Sequence, residues 1–438
     1  MKTSILENAY NLINKAINCD IFKAKHRLTI NSFNRSRKLP FPILLTYFLN
    51  LTKGSYQQEL DNFFAVTNAN SRPSQVVTKS ALSQARKHLS HTAFIDLNRQ
   101  VINDYYANHP DQKRWKGFRL CAIDGSQFRL PYEADIIETF GVNQGKESQK
   151  DCPLALASVY YDVLNHISID ASINHTKASE RACAAAHLQH ALSTDLSLLD
   201  RGYNAFWLYA LYNQEKRFFC MRAKINQGLV FKQFVESGKA QAIITLEANK
   251  SSKEACQSRG LPTTALTLRL VRVDLDNNEV EVLITNLIDE QIFPAKEFKA
   301  LYHLRWGIEE NYKRLKQWVE IENFSGKSAL SVKQDFYAKV LTTNLVSMAA
   351  TAAQVHVDKT TRNRRHSYQV NFAQAVSKMK NTLVELLMLS GHFLRKRLNA
   401  LTDYMACTIE PIRKGRSYPR KKSKKKNNLH FSSYKRSR

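Results

Sequence analysis

The sequence predicts an α/β protein, with a mixed sheet covered by helices, an inserted all-β segment, and helical regions at both ends. Three observations predict it. Between residues 113 and 224, short apolar runs that end in an acid alternate with stretches of helical periodicity. Residues 225–292 instead hold the β-like runs AQAIITLEA, TALTLRLVRVDL and EVEVLITNL, the last two joined by the turn DNNE. Residues 1–112 and 351–412 show apolar positions at helical spacing between polar joints. The 438 residues exceed what one hydrophobic core usually holds. The division expected is 1–112, 113–224, 225–292, 293–350 returning to the sheet, 351–412, and a tail over 413–438.

Charge narrows the function. Lys and Arg number 65 against 38 Asp and Glu, a net charge of +27. That excess repels itself unless a polyanion is the working partner, and nucleic acid is the first candidate. The longest apolar run, FPILLTYFLNL at 41–51, is far short of the ~20 residues that span a membrane, so no membrane partner is expected. The N-terminal residues mix polar side chains through any secretory core. Seven scattered cysteines without a CxxC pair argue against a disulfide framework or a structural zinc site, and for a reducing cytosol. His88 with His91, and His187 with His190, have helical ligand spacing but no acidic or cysteine partner nearby, so they read as ordinary surface histidines.

In chain order, RPSQVVTKSALSQARKHL puts Thr78 or Ser80 at an N-cap before a helix bearing Arg86 and Lys87. That helix is a candidate DNA reader, or simply a basic helix. FRLCAID is a buried strand ending in Asp124, with DGS as turn chemistry. LALASVYYDV and HISIDASIN read as a hairpin with Asn165 near its tip. ERACAAAHLQHALS reads as a helix, LSLLD as a second strand ending at Asp200, and the segment after RGYN as a helix. FFCMRAK is one further strand. Each acid alone could merely cap its turn.

Pro294 opens the next helix, a position that suits proline. In its YHLRWGIEENYKRLK, Tyr302, Arg305, Glu309 and Lys316 stand at i, i+3, i+7 and i+14, within roughly 60° on an ideal helix. Such a seam normally carries Leu or Ile; this one carries a phenol, a guanidinium, a carboxylate and an ammonium. Glu310 lies about 100° away, so register favours Glu309. After a further helical region with a basic, loop-like break at HVDKTTRNRRHSYQV, the tail RKGRSYPRKKSKKKNNLHFSSYKRSR holds twelve Lys or Arg, among them Arg420, Lys421 and Lys422, and no acid. It reads as disordered and suited to sequence-independent DNA contact.

Asp124 in CAIDGSQFRLP, Asp200 in LLDRGYN and the Y-x2-R-x3-E-x6-K spacing together resemble the insertion-sequence transposases of the IS-four family, over roughly residues 115–350. The resemblance implies an RNase H-like catalytic core with an inserted β-domain. It makes Asp124, Asp200 and Glu309 the triad for two Mg²⁺ ions, with Mn²⁺ able to replace them. Arg305 and Lys316 would contact transposon-end phosphates, and Tyr302 would help position the strand. It further implies DNA as partner, a homodimer on paired ends, and cut-and-paste transposition in a bacterial cytosol. Members that form flanking hairpins use a Trp of the inserted domain. Trp115, Trp207, Trp306 and Trp318 all lie outside 225–300, leaving Phe231, Phe234 or Phe293 as replacements. A catalytically silent DNA-binding derivative and another RNase H-like nuclease are the competing expectations.

Overall fold

A computed structural model describes residues 3–35, 37–68, 75–143, 152–275 and 279–413. Its centre is a nine-stranded sheet. The strands are β1 (Arg119–Arg129), β2 (Val142–Asn143), β3 (Cys152–Asp162), β4 (Ile167–His175), β5 (Asp195–Leu199), β6 (Phe218–Ala223), β7 (Gln241–Leu246), β8 (Leu266–Asp274) and β9 (Val280–Thr285). From one edge the order is β4, β3, β1, β5, β6, β9, β8, β7, with β2 on the first rungs of β3. β1, β3 and β4 are antiparallel neighbours, whereas β5 runs parallel to β1 and β6 parallel to β5. The expected β3–β4 hairpin forms. At its turn the Asn165 side chain donates to Asp162 Oδ2 at 2.8 Å while Asp162 Oδ1 accepts the backbone N–H groups of Leu164 and Asn165.

Register between β1 and β5 is fixed at the end opposite the acids. Arg119 pairs with Asp195 on the ladder, and their buried side chains form a bidentate ion pair at 2.7 and 2.6 Å. The ladder continues to Ala122 opposite Leu198. Two residues further, the same offset sets Asp124 level with Asp200, on strands about 4.8 Å apart. Alternation sends Leu120, Ala122, Leu196 and Leu198 to one face of the sheet and Cys121, Ile123 and Leu199 to the other. Asp124 and Asp200 therefore leave the sheet on the first face.

That first face is covered by Phe298, Leu301, Ile308, Tyr312 and Leu315 from the helical run after Pro294, and by Val332, Phe336 and Val340. The last three belong to the helix Ala329–Thr360, most of whose first twenty residues are buried, polar ones such as Gln334, Asp335 and Asn344 included, because it packs against both the sheet and a helical body. Its other residues, such as Leu341, Leu345 and Ala349, pack into a helical body built from both ends of the chain, including Leu6, Tyr10, Leu44, Phe94, Leu394 and Leu398.

Four expectations need correction. The strand read as ending in Asp124, with a turn at DGS, runs on to Arg129 paired with β3, so Asp124 lies in the middle of β1. Residues 225–292 are not an all-β subdomain: they include the helices Leu229–Glu236 and Lys250–Gln257, and β9, β8 and β7 extend the central sheet because β9 pairs with β6. The apolar positions of β8 and β9 then join the same buried clusters as β5 and β6. No boundary falls between 350 and 351, where the long helix runs through. The segment read as a basic loop continues that helix to Thr360 and then forms the strand Ser367–Val370, paired with Ile409–Ile412. No described helix is long and apolar enough to cross a membrane.

Candidate active site

The helix expected over the Tyr302 to Lys316 stretch forms with changing pitch. It passes from an α-turn at Phe298–His303 through a 3₁₀ turn at Leu304–Trp306, an α-helix at Gly307–Lys313 and a π-turn at Arg314–Trp318. Two phenols fasten it to the backbone beside the two acids. Tyr302 Oη donates to the carbonyl of Leu199, the residue before Asp200, at 3.1 Å. Tyr312 Oη donates to the carbonyl of Asp124 itself at 2.7 Å and to that of Ala157 at 3.2 Å. Glu309 lies between these two anchors. Gly307 permits the close approach, since a Cβ there would stand 3.2 Å from Cβ of Val163.

Asp124 is partly buried at the mouth of this arrangement. Burial pushes its carboxyl up to about 7; the Gly125 N–H, donating at 2.9 Å, opposes that, the neighbouring Asp200 adds to it, and Arg305 opposes it. Asp200 accepts the Gly202 N–H at 2.6 Å, which curls the DRGY turn back on the acid. Arg305, 7% exposed, lies between the rings of Tyr302 and Trp306, with Nη2 3.4 Å from Glu309 Oε1. The structure therefore brings Asp124 and Asp200 close to each other, with Arg305 near Asp124 and Glu309 beside Arg305 on the overlying helix. Among the described residues, no three His, Cys, Asp or Glu side chains are grouped so that they could hold a metal ion, so Glu309 is not gathered into one cluster with Asp124 and Asp200.

The donor set nevertheless fits a divalent cation. Carboxylate oxygens on rigid elements suit Mg²⁺ or Mn²⁺, and a half-desolvated Asp124 facing Asp200 is an arrangement that positive charge relieves.

Residues 115–345, more than half of the chain, match the family described as the transposase DDE domain. The chain belongs to that family of DDE transposases. It is similar over 390 residues, at 22% identity, to transposase InsG for insertion sequence element IS4 of Escherichia coli K12, a match covering 88% of this chain and 86% of the relative. Among solved structures it is similar to a piggyBac transposase synaptic complex with hairpin DNA, with TM-score 0.42 and 8% identity, over 91% of this chain and 82% of that one.

Several residues expected to touch DNA are placed otherwise in this transposase. Arg86 is 5% exposed, and its guanidinium faces inward: it donates to Gln334, Tyr56, Ser325, the Ser331 carbonyl and Asp335. It fastens the helix Lys79–Arg86, N-capped by Thr78 as expected, to the long helix. Neighbouring Lys87 is exposed. Tyr302 is buried with its hydroxyl engaged by Leu199, so it anchors the helix and does not present itself to a strand. Lys316 Nζ donates to the Gln127 carbonyl at 2.8 Å and lies over the Phe128 ring, partly buried. Phe231 and Phe234 are buried in the second face of the sheet, and Phe293 stacks on Trp115 at 5.9 Å, so none of the three projects to hold a flipped base. Arg420, Lys421 and Lys422 lie outside the described residues.

Sequence reasoning missed Glu180 and Tyr203. Glu180 opens the helix Glu180–His187 behind the N-cap Ser179, and burial and Asp200 hold its carboxyl above the ordinary range. Tyr203, in the DRGY turn, is fully buried; burial and then the charges of Asp124, Glu180 and Asp200 keep its phenol protonated. The N-cap serine before Glu180 was legible, but its neighbours in space were not.

Proposed function

We propose that this transposase binds the terminal inverted repeats of an insertion sequence, cuts the DNA strands there with divalent metal, and joins the freed 3′ ends to target DNA. The observation that carries the proposal is the convergence of Asp124 and Asp200, level on adjacent parallel strands, beneath a helix whose Glu309 is bracketed by the anchors Tyr302 and Tyr312. In this reading β4, β3, β1, β5 and β6 are an RNase H-like core, a proposal supported by their three antiparallel strands continuing into two parallel ones, with Asp124 inside β1 and Asp200 just past the end of β5.

Asp124, Asp200 and Glu309 would hold two Mg²⁺ ions, or Mn²⁺. When bound, such ions supply activation of the attacking oxygen and stabilisation of the leaving one. The chain's own residues do the rest. Arg305, already between the acids and the exposed ring of Trp306, offers a guanidinium to a phosphate that enters beside Glu309. Its present contact with Glu309 is long enough, at 3.4 Å, to be exchanged for a phosphate oxygen. The two tyrosine anchors fix the helix that carries Arg305 and Glu309 against the backbone beside Asp124 and Asp200. The net charge of +27 supplies the sequence-independent attraction to the duplex. Two copies of the chain are proposed to pair the two ends, acting on DNA in the bacterial cytosol.

The test is three full-length variants, Asp124→Asn, Asp200→Asn and Glu309→Gln, assayed on terminal-repeat DNA with Mg²⁺. Each is expected to keep end binding and lose nicking. Metal-dependent nicking that survives in any one removes that residue from the site.

A further inference from the structure

Glu180 approaches the acids from the opposite face of the sheet. Alternation along β1 turns Gly125 toward that face, and a Cβ on Gly125 would stand 2.7 Å from Glu180 Oε1. The absence of a side chain at Gly125 is thus what lets the Glu180 carboxylate lie against the Gly125 backbone, next to Asp124 in the chain. Arg181 holds this geometry by donating from Nε to the Gly202 carbonyl at 2.8 Å, which ties the helix start to the turn carrying Asp200. Among the described residues no cation is paired with Glu180.

A second, independent observation lies at the same place. Tyr203 is 0% exposed, and its hydroxyl has no hydrogen-bond partner, although Asp124, Glu180 and Asp200 are the carboxylates around it. A buried O–H left without an acceptor carries an uncompensated desolvation cost. An acceptor that turns toward it when the acids reorganise around a cation offsets that cost.

We propose that Glu180 is a fourth carboxylate of the cation site, reached through the gap at Gly125, and that Tyr203 is the positioning residue whose hydroxyl donates to a carboxylate oxygen the cation leaves free. This rests on the reading of Asp124 and Asp200 as cation-binding acids. Metal-binding carboxylates are themselves held by outer hydrogen bonds, and loss of such a partner typically costs 10–100-fold in metal affinity. The proposal also gives Tyr203 a task that burial alone does not explain.

The experiment titrates the full-length protein with Mn²⁺ alone, without DNA, and reads free Mn²⁺ by electron paramagnetic resonance. Glu180→Gln is expected to weaken binding about 10–100-fold, Tyr203→Phe to weaken it toward the lower end of that range, and Asp200→Asn to abolish it. Affinity in Glu180→Gln within twofold of wild type, while Asp200→Asn loses binding, overturns the inference and leaves the acid assignment standing. Unchanged binding in Asp200→Asn overturns the assignment itself. Should Glu180→Gln fail to fold by circular dichroism, Gly125→Ala displaces the Glu180 carboxylate and keeps every acid; the same weakening is expected, and wild-type affinity there overturns the inference.

Discussion

Replacing Asp195 by alanine tests the device that sets the acids level. Four donors converge on this carboxylate: Arg119 Nε at 2.7 Å, Arg119 Nη2 at 2.6 Å, Tyr160 Oη at 2.7 Å and the Leu192 N–H at 2.9 Å. Both charged partners are at most 2% exposed, so Asp195→Ala leaves a guanidinium buried without its counter-charge. Removing one partner of a buried pair costs about 3–5 kcal/mol. Replacing both, as Arg119→Met with Asp195→Leu, is expected to recover most of that loss, because no unpaired charge remains. Recovery stays incomplete because Tyr160 and Leu192 still lose their acceptor. The assay is equilibrium urea unfolding of the full-length chain, followed by tryptophan fluorescence and compared at unchanged m-value. Register adds a functional readout: a one-residue slip of β1 against β5 would send Asp124 to the opposite face. Nicking should therefore fall in Asp195→Ala by more than the loss of folded protein explains. A single-variant cost below about 1 kcal/mol, or a double variant no more stable than the single, refutes the reasoning.

Arg86 and Lys87 should separate cleanly. Arg86→Ala is expected to cost several kcal/mol of stability, about 3–5 by the same unpaired-charge logic, since Asp335 is left buried. Lys87→Ala should leave the melt unchanged and, if that helix meets DNA, lower the salt slope of binding by about 1; equal melting losses in the two variants would contradict the placement. In chelator, ionising Asp124 opposes the fold because its folded carboxyl titrates near 7, above the ordinary 3.8. Its stabilising contribution is complete below about pH 3.8 and is lost progressively as pH rises from there through about 7, so Asp124→Asn should gain more thermal stability over wild type at pH 8 than at pH 5; an equal gain at both is the contrary result. Tyr312→Phe removes the donor to the Asp124 and Ala157 carbonyls and should cost about 1 kcal/mol, with nicking reduced more than DNA binding. Deleting residues 413–438 should flatten the salt dependence of DNA affinity, read by fluorescence anisotropy across a salt series.

Much of the local structure follows from the sequence alone, because it depends on neighbours in the chain. The apolar run before Asp200, the hairpin around Asn165 and an N-cap at Thr78, one of two candidates, depend on period, turn chemistry or a single hydroxyl and form where the residues place them, whereas the strand through Asp124 runs on past the DGS read as a turn. The excess of cations and the spacing of Tyr302, Arg305, Glu309 and Lys316 pointed to DNA and to the acids.

Only the tertiary structure decided which way those side chains face. Arg86 and an exposed Arg are identical letters, and it is Gln334 and Asp335, some 250 positions away in the chain, that draw this one inward. A strand's pattern shows that one face is buried but not which sheet supplies its neighbour, so β7, β8 and β9 read as a separate unit although β6 pairs with β9. Glu180 likewise reaches Asp124 only because Gly125 lacks a Cβ and the helix start is tied to the Gly202 turn. Pairing across long loops is set by packing and register, which no local pattern encodes.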